Sequence, residues 1–272
     1  MAVFLADGIN QKIVAGAVVN NLKNVADYVS YHRSDVVFDL NAADTNTAVV
    51  RIAPTLSLSD TPDSSSRTST IARTTASSSK VEVTLTTDKY FNVAIDPMDV
   101  NPTRQLTEIG EAGAVAIAKH SNATLLAAAV ADGTASYLGE TFGSGTTGTE
   151  AWDKLVDLTT AFQTAELTED NTLYIAPAVW GRLIKGVETL RVGINPKEQA
   201  AVLLGVARVV VAPITGALAI VAHSSGLVGA RRIASIKQHE TPIDTEIVGR
   251  IKCGAKVLDA NAVQVLKDGT GS

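Results

Sequence analysis

Apolar positions along this chain recur with two periods, and the switches between them mark out its elements. Val14, Val18, Leu22, Val25 and Val29 fall on one side of a helical wheel, with Asn20, Lys23 and Asp27 away from it, which predicts an amphipathic helix over 8–31. Its apolar face serves either the core or a docked neighbour. A two-residue period follows: Ala48, Val50, Ile52, Leu56 and Leu58 share one strand face, and Val81, Val83, Leu85, Phe91, Val93 and Ile95 share one face of the return. Between them lies 57–79, where Ser and Thr are the majority of residues. Such a stretch has too little to bury to form a core of its own. The pattern predicts a long hairpin with a polar tip that has little to lean on in an isolated chain. Pro54 suits an edge strand, because it donates nothing to a ladder. The tip is either a disordered loop or a limb lying on another molecule.

The helical period returns over 101–133. Asn101 and Pro102 read as a cap and first turn, and Leu106, Ile109, Gly113, Ile117 and His120 draw one stripe. Asp132-Gly133 reads as the end, with the glycine left-handed. The run is rich in Ala and Gly, so other backbone can approach it closely. Glu108, Glu111, Lys119 and Asn122 argue against a membrane span. It reads as a spine for the molecule, with His120 a hydrogen-bonded packing residue.

Tyr137–Thr149 is a Gly- and Thr-rich connection, after which Trp152, Leu155, Val156, Thr159 and Phe162 form a helix face. Leu173–Ala176 reads as a strand, Pro177 opens a helix burying Val179, Trp180, Leu183, Ile184 and Val187, and Asn195-Pro196 caps another over Ala200–Leu204. Val209–Ala212 and Leu218–Ala222 read as adjacent buried strands, and Ser224-Ser225 as the start of a short helix. Ile233–Gln238, Ile243–Cys253, Lys256–Leu258 and Val263–Leu266 supply further strands. Helices and strands mix without strict alternation, so the fold class is α+β.

Composition narrows the picture. Apolar residues make up 46% of the 272 but aromatics only 4%, which predicts an ordered interior of Ala, Val, Ile and Leu. A formal charge of −5 argues against a dedicated nucleic-acid binder. Nothing at the N-terminus reads as an export signal. Cys253 excludes an internal disulfide framework and reads as a small buried hydrophobe beside Ile251, Ala255 and Val257.

Chemistry is sparse. Gly143-Ser144-Gly145-Thr146-Thr147-Gly148 has the spacing of a dinucleotide loop, but Tyr137–Phe142 makes a poor preceding strand, so a linker explains the glycines better. His32, His120, His223 and His239 have no metal-ligand spacing with Cys253, and Arg231-Arg232 reads as a solvated pair. No Walker loop, nucleophile elbow or His-Glu-x-x-His is present. The residues call for no catalytic, cofactor or metal site.

The order of elements, with Val81-Glu82-Val83-Thr84-Leu85 running through Ala94-Ile95-Asp96 into the spine, resembles the major capsid proteins of tailed bacteriophages of the Hong Kong 97 type. Leu173-Tyr174-Ile175-Ala176-Pro177 followed by Trp180, Leu183 and Ile184, Ala219-Ile220-Val221-Ala222-His223, and Gly254-Ala255-Lys256-Val257-Leu258 with Asn261-Ala262-Val263 are similar to that family's axial-domain and closing elements. The resemblance implies an arm over 1–44, an extended hairpin over 45–95, a peripheral domain with the spine over 96–150, an axial domain over 151–236 and return strands over 237–272. It implies a structural protein, with no enzymatic activity and no cofactor, that assembles through hexamers and pentamers into an icosahedral shell around double-stranded DNA. Its expected partners are copies of itself, with scaffolding, portal and cement proteins, DNA contacted non-specifically and no membrane. Its expected place is the virion, assembled in the host bacterial cytoplasm. Asp63, Arg67, Arg73 and Lys80 on the hairpin become candidate inter-subunit contacts. Cys253 stands where the family often has an aromatic, and no scaffolding extension precedes the arm, so a separate scaffolding protein or none is expected. Lys80 and Lys89 flank the hairpin but read as solvated rather than cross-linking. An encapsulin-like compartment shell is the alternative, and a soluble enzyme using the glycine loop is the more distant one.

Overall fold

The computed structural model describes residues 7–22, 26–33, 37–38, 47–52, 79–95, 102–143, 145–164, 167, 169–192, 195–240 and 245–270. Six α-helices run over Asp7–Leu22 (α1), Pro102–Asp132 (α2), Gly148–Thr164 (α3), Pro177–Gly186 (α4), Glu188–Val192 (α5) and Pro196–Leu204 (α6) among the described residues. The strands are Val37–Phe38 (β1), Thr47–Ile52 (β2), Ser79–Thr84 (β3), Thr87–Ile95 (β4), Thr134–Tyr137 (β5), Asn171–Ile175 (β6), Arg208–Val211 (β7), Ala219–His223 (β8), Leu227–Glu240 (β9), Thr245–Val257 (β10) and Val263–Lys267 (β11). They form three sheets, ordered β1-β2-β3, β4-β10-β9 and β5-β11-β8-β6-β7. The class is α+β, as the sequence indicates.

Helix α2 ties these sheets together. Its 31 residues span about 46 Å at the helical rise. Leu106, Ile109, Ala114, Ile117 and Ala118 in its first part pack with Val14 and Val18 of α1 and Ile247, Ile251 and Cys253 of β10. Leu125, Leu126 and Ala129 in its second part pack on Tyr174, Ile220, Val263 and Val265 of the five-stranded sheet. The opposite face of that sheet carries Leu173, Ile175, Val221 and Leu266 against Leu155, Leu158 and Phe162 of α3 and Leu183 of α4. Each such fully buried side chain contributes about 1.5–3 kcal/mol relative to exposure.

Small residues on α2 do what the composition predicts. A Cβ on Gly110 would lie 2.5 Å from Ala17 Cβ, so α1 crosses α2 at nearly backbone contact. Gly133 ends the helix for a different reason than expected. It is not left-handed; a Cβ there would meet Ala129 O at 2.6 Å and Val265 at 2.8 Å. By length and composition alone α2 could cross a membrane. Packing against α1 and two sheets makes it a core helix instead.

Several expectations change. Helix α1 stops at Leu22, and Tyr28–Tyr31 forms a separate 3₁₀ turn. Strands β7 and β8 are not neighbours, because β6 lies between them, parallel to β7 and antiparallel to β8. Ser224-Ser225 form a turn, with Gly226 N–H donating to His223 O at 3.1 Å. Asn195 precedes α6 but makes no side-chain cap, and Val156 is exposed. His120 Nε2 is buried without a hydrogen-bond partner, so that nitrogen does not supply the hydrogen bond expected of this packing residue.

Candidate functional site

The hairpin root is built on this chain's own body. Strands β2 and β3 pair antiparallel from Thr47↔Thr84 to Ile52↔Ser79. Ala48, Val50, Val83 and Leu85 close against Val228 and Ala230 of β9 and Leu258. The root therefore has a support of its own, and the rest of the expected hairpin, 53–78, lies outside the described residues. Polar ties reinforce it: Arg33 donates to Arg51 O, Lys256 Nζ donates to Glu82 O at 3.3 Å, and Thr87 Oγ1 donates to Cys253 O at 2.9 Å. Val81 to Ile95 is not one strand. At Leu85-Thr86 the chain changes sheets, and β4 pairs with β10 from Thr87↔Cys253 to Ile95↔Thr245. A Cβ on Gly254 would lie 2.2 Å from Thr84 O, so only glycine lets β10 pass beneath this corner.

The outward face of the root is exposed. Lys80 is exposed and directly opposite Arg51, which sets two cations side by side on the hairpin. Asp63, Arg67 and Arg73 lie outside the described residues. On β4, Tyr90 is 75% exposed and Phe91 half-buried, while Asp88 receives the Arg250 guanidinium with both carboxylate oxygens. That hydrogen bond holds the Asp88 carboxyl below its ordinary pKa.

Residues 26–33 form a polar clasp onto α2, β9 and the five-stranded sheet. Asn122 on α2 donates to Ala26 O at 2.7 Å and accepts from Tyr28 N–H at 2.9 Å. Asp27 pairs with Arg231 of β9 at 2.6 Å, so that arginine is not a freely solvated one. His32 Nε2 and Tyr174 Oη are 2.7 Å apart, and the Arg208 guanidinium lies 4.6 Å from the Tyr31 ring centre. Burial pushes His32 down to about 4; a backbone hydrogen bond to His223 opposes this, while the charges of Arg208 and His223 add to it. The sequence carried no signal for the clasp, because its partners are separated by some 90 to 200 residues.

At the far end of the five-stranded sheet, α6 leaves Val202 81% and Leu203 55% exposed. One signal was available: positions 200–204 are apolar without a break, more than one side of a short helix can bury.

The glycine loop acts as a helix entry. Gly148, at the start of α3, would place a Cβ 2.5 Å from Arg182 O and 2.7 Å from the Gly186 Cα, so α3 and α4 touch backbone to backbone. The α3 start is closed by its own side chains: Thr147 N–H donates to Glu150 Oε2 at 2.7 Å, and Glu150 N–H to Thr147 Oγ1 at 3.2 Å. Cys253 is buried, with its sulfur 3.5 Å from Ser121 Oγ, and burial raises its pKa. Among the described residues no three His, Cys, Asp or Glu side chains gather as a metal site.

This arrangement of hairpin, long helix and helix-covered sheet recurs in virus shells. The chain superposes on a chain of the capsid of cyanophage P-SCSP1u with TM-score 0.62 at 15% identity, covering 89% of this chain and 87% of that one. A chain from Mycobacterium phage Che8 gives 0.60 at 14% identity, covering 88% and 90%. A virus-like particle from Pyrococcus furiosus gives 0.59 at 13% identity, covering 93% and 96%. No protein-family model and no curated protein sequence matches the chain. The protein has the fold of these phage capsid chains.

Proposed function

We propose that this protein is a structural major capsid subunit of the Hong Kong 97 type, which assembles through hexamers and pentamers into an icosahedral shell enclosing double-stranded DNA. The observation that carries the reading is the fold likeness, which extends over nearly nine-tenths of both chains in the cyanophage P-SCSP1u capsid comparison. The exposed face of the hairpin root and the apolar end of α6 agree with it, since both make sense once copies surround the subunit. The arm is 1–44, the hairpin 45–95, the peripheral domain 96–150, the axial domain 151–236, and 237–272 returns to both. Asp63, Arg67, Arg73 and Lys80 contact neighbouring copies, with Lys80 and Arg51 seeking acidic groups. Scaffolding, portal and cement proteins are the accessory partners, and DNA is contacted non-specifically, in keeping with a net charge of −5. The subunit is no enzyme, assembles in the bacterial cytoplasm and resides in the virion.

Negative-stain microscopy of the expressed protein, with any assembly helpers supplied, tests this directly. Closed shells are expected; a persistent monomer at high concentration sinks the reading. The likeness to a virus-like particle over 93% of this chain favours a second reading, an encapsulin-like compartment. Nucleic acid in purified particles supports the first, and a co-purifying enzyme the second.

A further inference from the structure

We infer that β4 is a docking edge, on which an extended segment of a different protein, carrying acidic side chains, adds as a fourth strand to the β4-β10-β9 sheet. The inference goes beyond the shell reading and does not depend on it. The outer strand of a sheet leaves a row of backbone N–H and C=O groups without a ladder partner. Proteins blunt such edges with brevity, charge, bulges, proline or a covering element. The edges β1, β5 and β7 are two to four residues long. Edge β3 carries Lys80 and Glu82 on its exposed side. Edge β9 has one extra residue against Arg250-Ile251, and the clasp grips it through the Arg33–Val228 bridge and the Asp27–Arg231 pair. Strand β4 lacks these devices along most of its length. Its nine residues keep an unbroken register with β10, its sole strand partner among the described residues. At strand rise this edge is about 30 Å long.

The side chains fit the same use. Tyr90 to Ile95 contains neither charge nor proline, and Tyr90 and Val93, on opposite faces, are 75% and 37% exposed. Uncovered, such an edge recruits strands indiscriminately. Charge selects the recruit. Strands β4, β9 and β10 hold seven Lys and Arg against three Asp and Glu, so this sheet is net positive in a chain of net charge −5. Lys89 stands exposed at the edge itself, and Arg250 and Lys252 follow on the neighbouring strand. An acidic segment is attracted there and a basic one repelled. Polypeptide fits this place better than nucleic acid does. Asp88 and Glu246 lie among the cations, so a uniformly anionic phosphate backbone meets repulsion that a strand with spaced acids avoids. The open amides and carbonyls of β4 also pair in register with another peptide backbone, whereas a phosphate chain offers no such alternating partner.

The test uses the full-length, unassembled subunit and a fluorescein-labelled peptide as long as β4 that alternates Glu and Val, followed by anisotropy. Saturable binding is expected, with hydrogen exchange at the β4 amides slowed at least about tenfold by the peptide. The same peptide methylated at its backbone nitrogens is expected not to bind, because it can no longer donate to a ladder. A counterpart alternating Lys and Val is expected to bind at least about tenfold more weakly. Lys89→Glu is expected to weaken the Glu-Val peptide about threefold or more while leaving the melting temperature unchanged. No binding, equal binding of the methylated or the Lys-Val peptide, protection confined to other strands, or preference for a short DNA duplex overturns the inference. A subunit whose own residues or copies already occupy β4 leaves the peptide unbound and overturns it in the same way. Unchanged affinity in Lys89→Glu counts against the acidic character of the partner. None of these outcomes bears on whether closed shells form, which microscopy decides separately.

Discussion

The five-stranded sheet and the hairpin root differ in how much of their surface their own chain satisfies. In the sheet, β6 is buried at all five positions and both faces carry helices. In the hairpin unit, among the described residues, Ala48, Val50, Val83 and Leu85 close on the body and Phe91 packs beside α2 and β10, while β4 exposes Tyr90 and Val93. The first region buries both faces of its sheet within one chain. The second leaves much of the surface of its described strands open. Glycines emphasise the difference: Gly148 and Gly186 bring two helices of the first region together, whereas Gly254 only lets the hairpin root cross the body.

The largest expected effect comes from shortening the expected hairpin. Deleting Ser64–Ser78 is expected to leave a folded subunit that still forms capsomers but cannot close a stable shell. Electron micrographs of the deletion with particles like those of the intact protein would break the contrast between the two regions. In the region of the five-stranded sheet, Gly148→Val forces a side chain into the α3–α4 contact. A loss of roughly 3 kcal/mol or more is expected, read as a lower urea midpoint. An unchanged midpoint means the two helices do not bear on each other as described.

The clasp predicts a pH dependence. His32 has a folded pKa of about 4, below its ordinary value of 6.5. The folded state therefore takes up its proton later than the unfolded chain. The stability cost begins as pH falls below about 6.5 and is complete below about 4, amounting to about 3 kcal/mol. His32→Gln is expected to flatten the fall in Tm between pH 6.5 and 4 relative to the unmodified protein; parallel curves refute the assignment. The smallest effect is expected at Lys80. Because it is exposed opposite another cation, Lys80→Ala is expected to change subunit stability by less than about 0.5 kcal/mol, measured by denaturant melts, while weakening assembly. A stability loss beyond 1 kcal/mol would place Lys80 within the body's own contacts.

Long periodic runs were legible in the sequence because their neighbours are local. Helix α2 begins and ends within a residue of its expected bounds, and Pro177 and Pro196 open α4 and α6 where their ring geometry suits a first turn. The α+β class followed from pattern alone. Strand partners did not. Alternation tells which residues share a face, but it is silent on which strand lies alongside. Hence Val81 to Ile95 read as one strand although it serves two sheets, and β7 and β8 read as neighbours although β6 separates them. Of the candidate contact residues, Lys80 stands exposed on β3, and Asp63, Arg67 and Arg73 lie outside the described residues. The exposed Val202-Leu203 pair lies in an unbroken apolar run, which did not show that it forms a surface.

The sequence by itself determined where backbone must extend, coil or turn, since those preferences arise from steric and hydrogen-bonding choices within a few residues. It also determined that 57–79 has too few apolar groups to bury. Tertiary structure alone decided that Asp27 meets Arg231, that His32 meets Tyr174 and that Gly148 meets Gly186. Those pairings join residues far apart in the chain, and their geometry exists only once α2 has set the sheets in place.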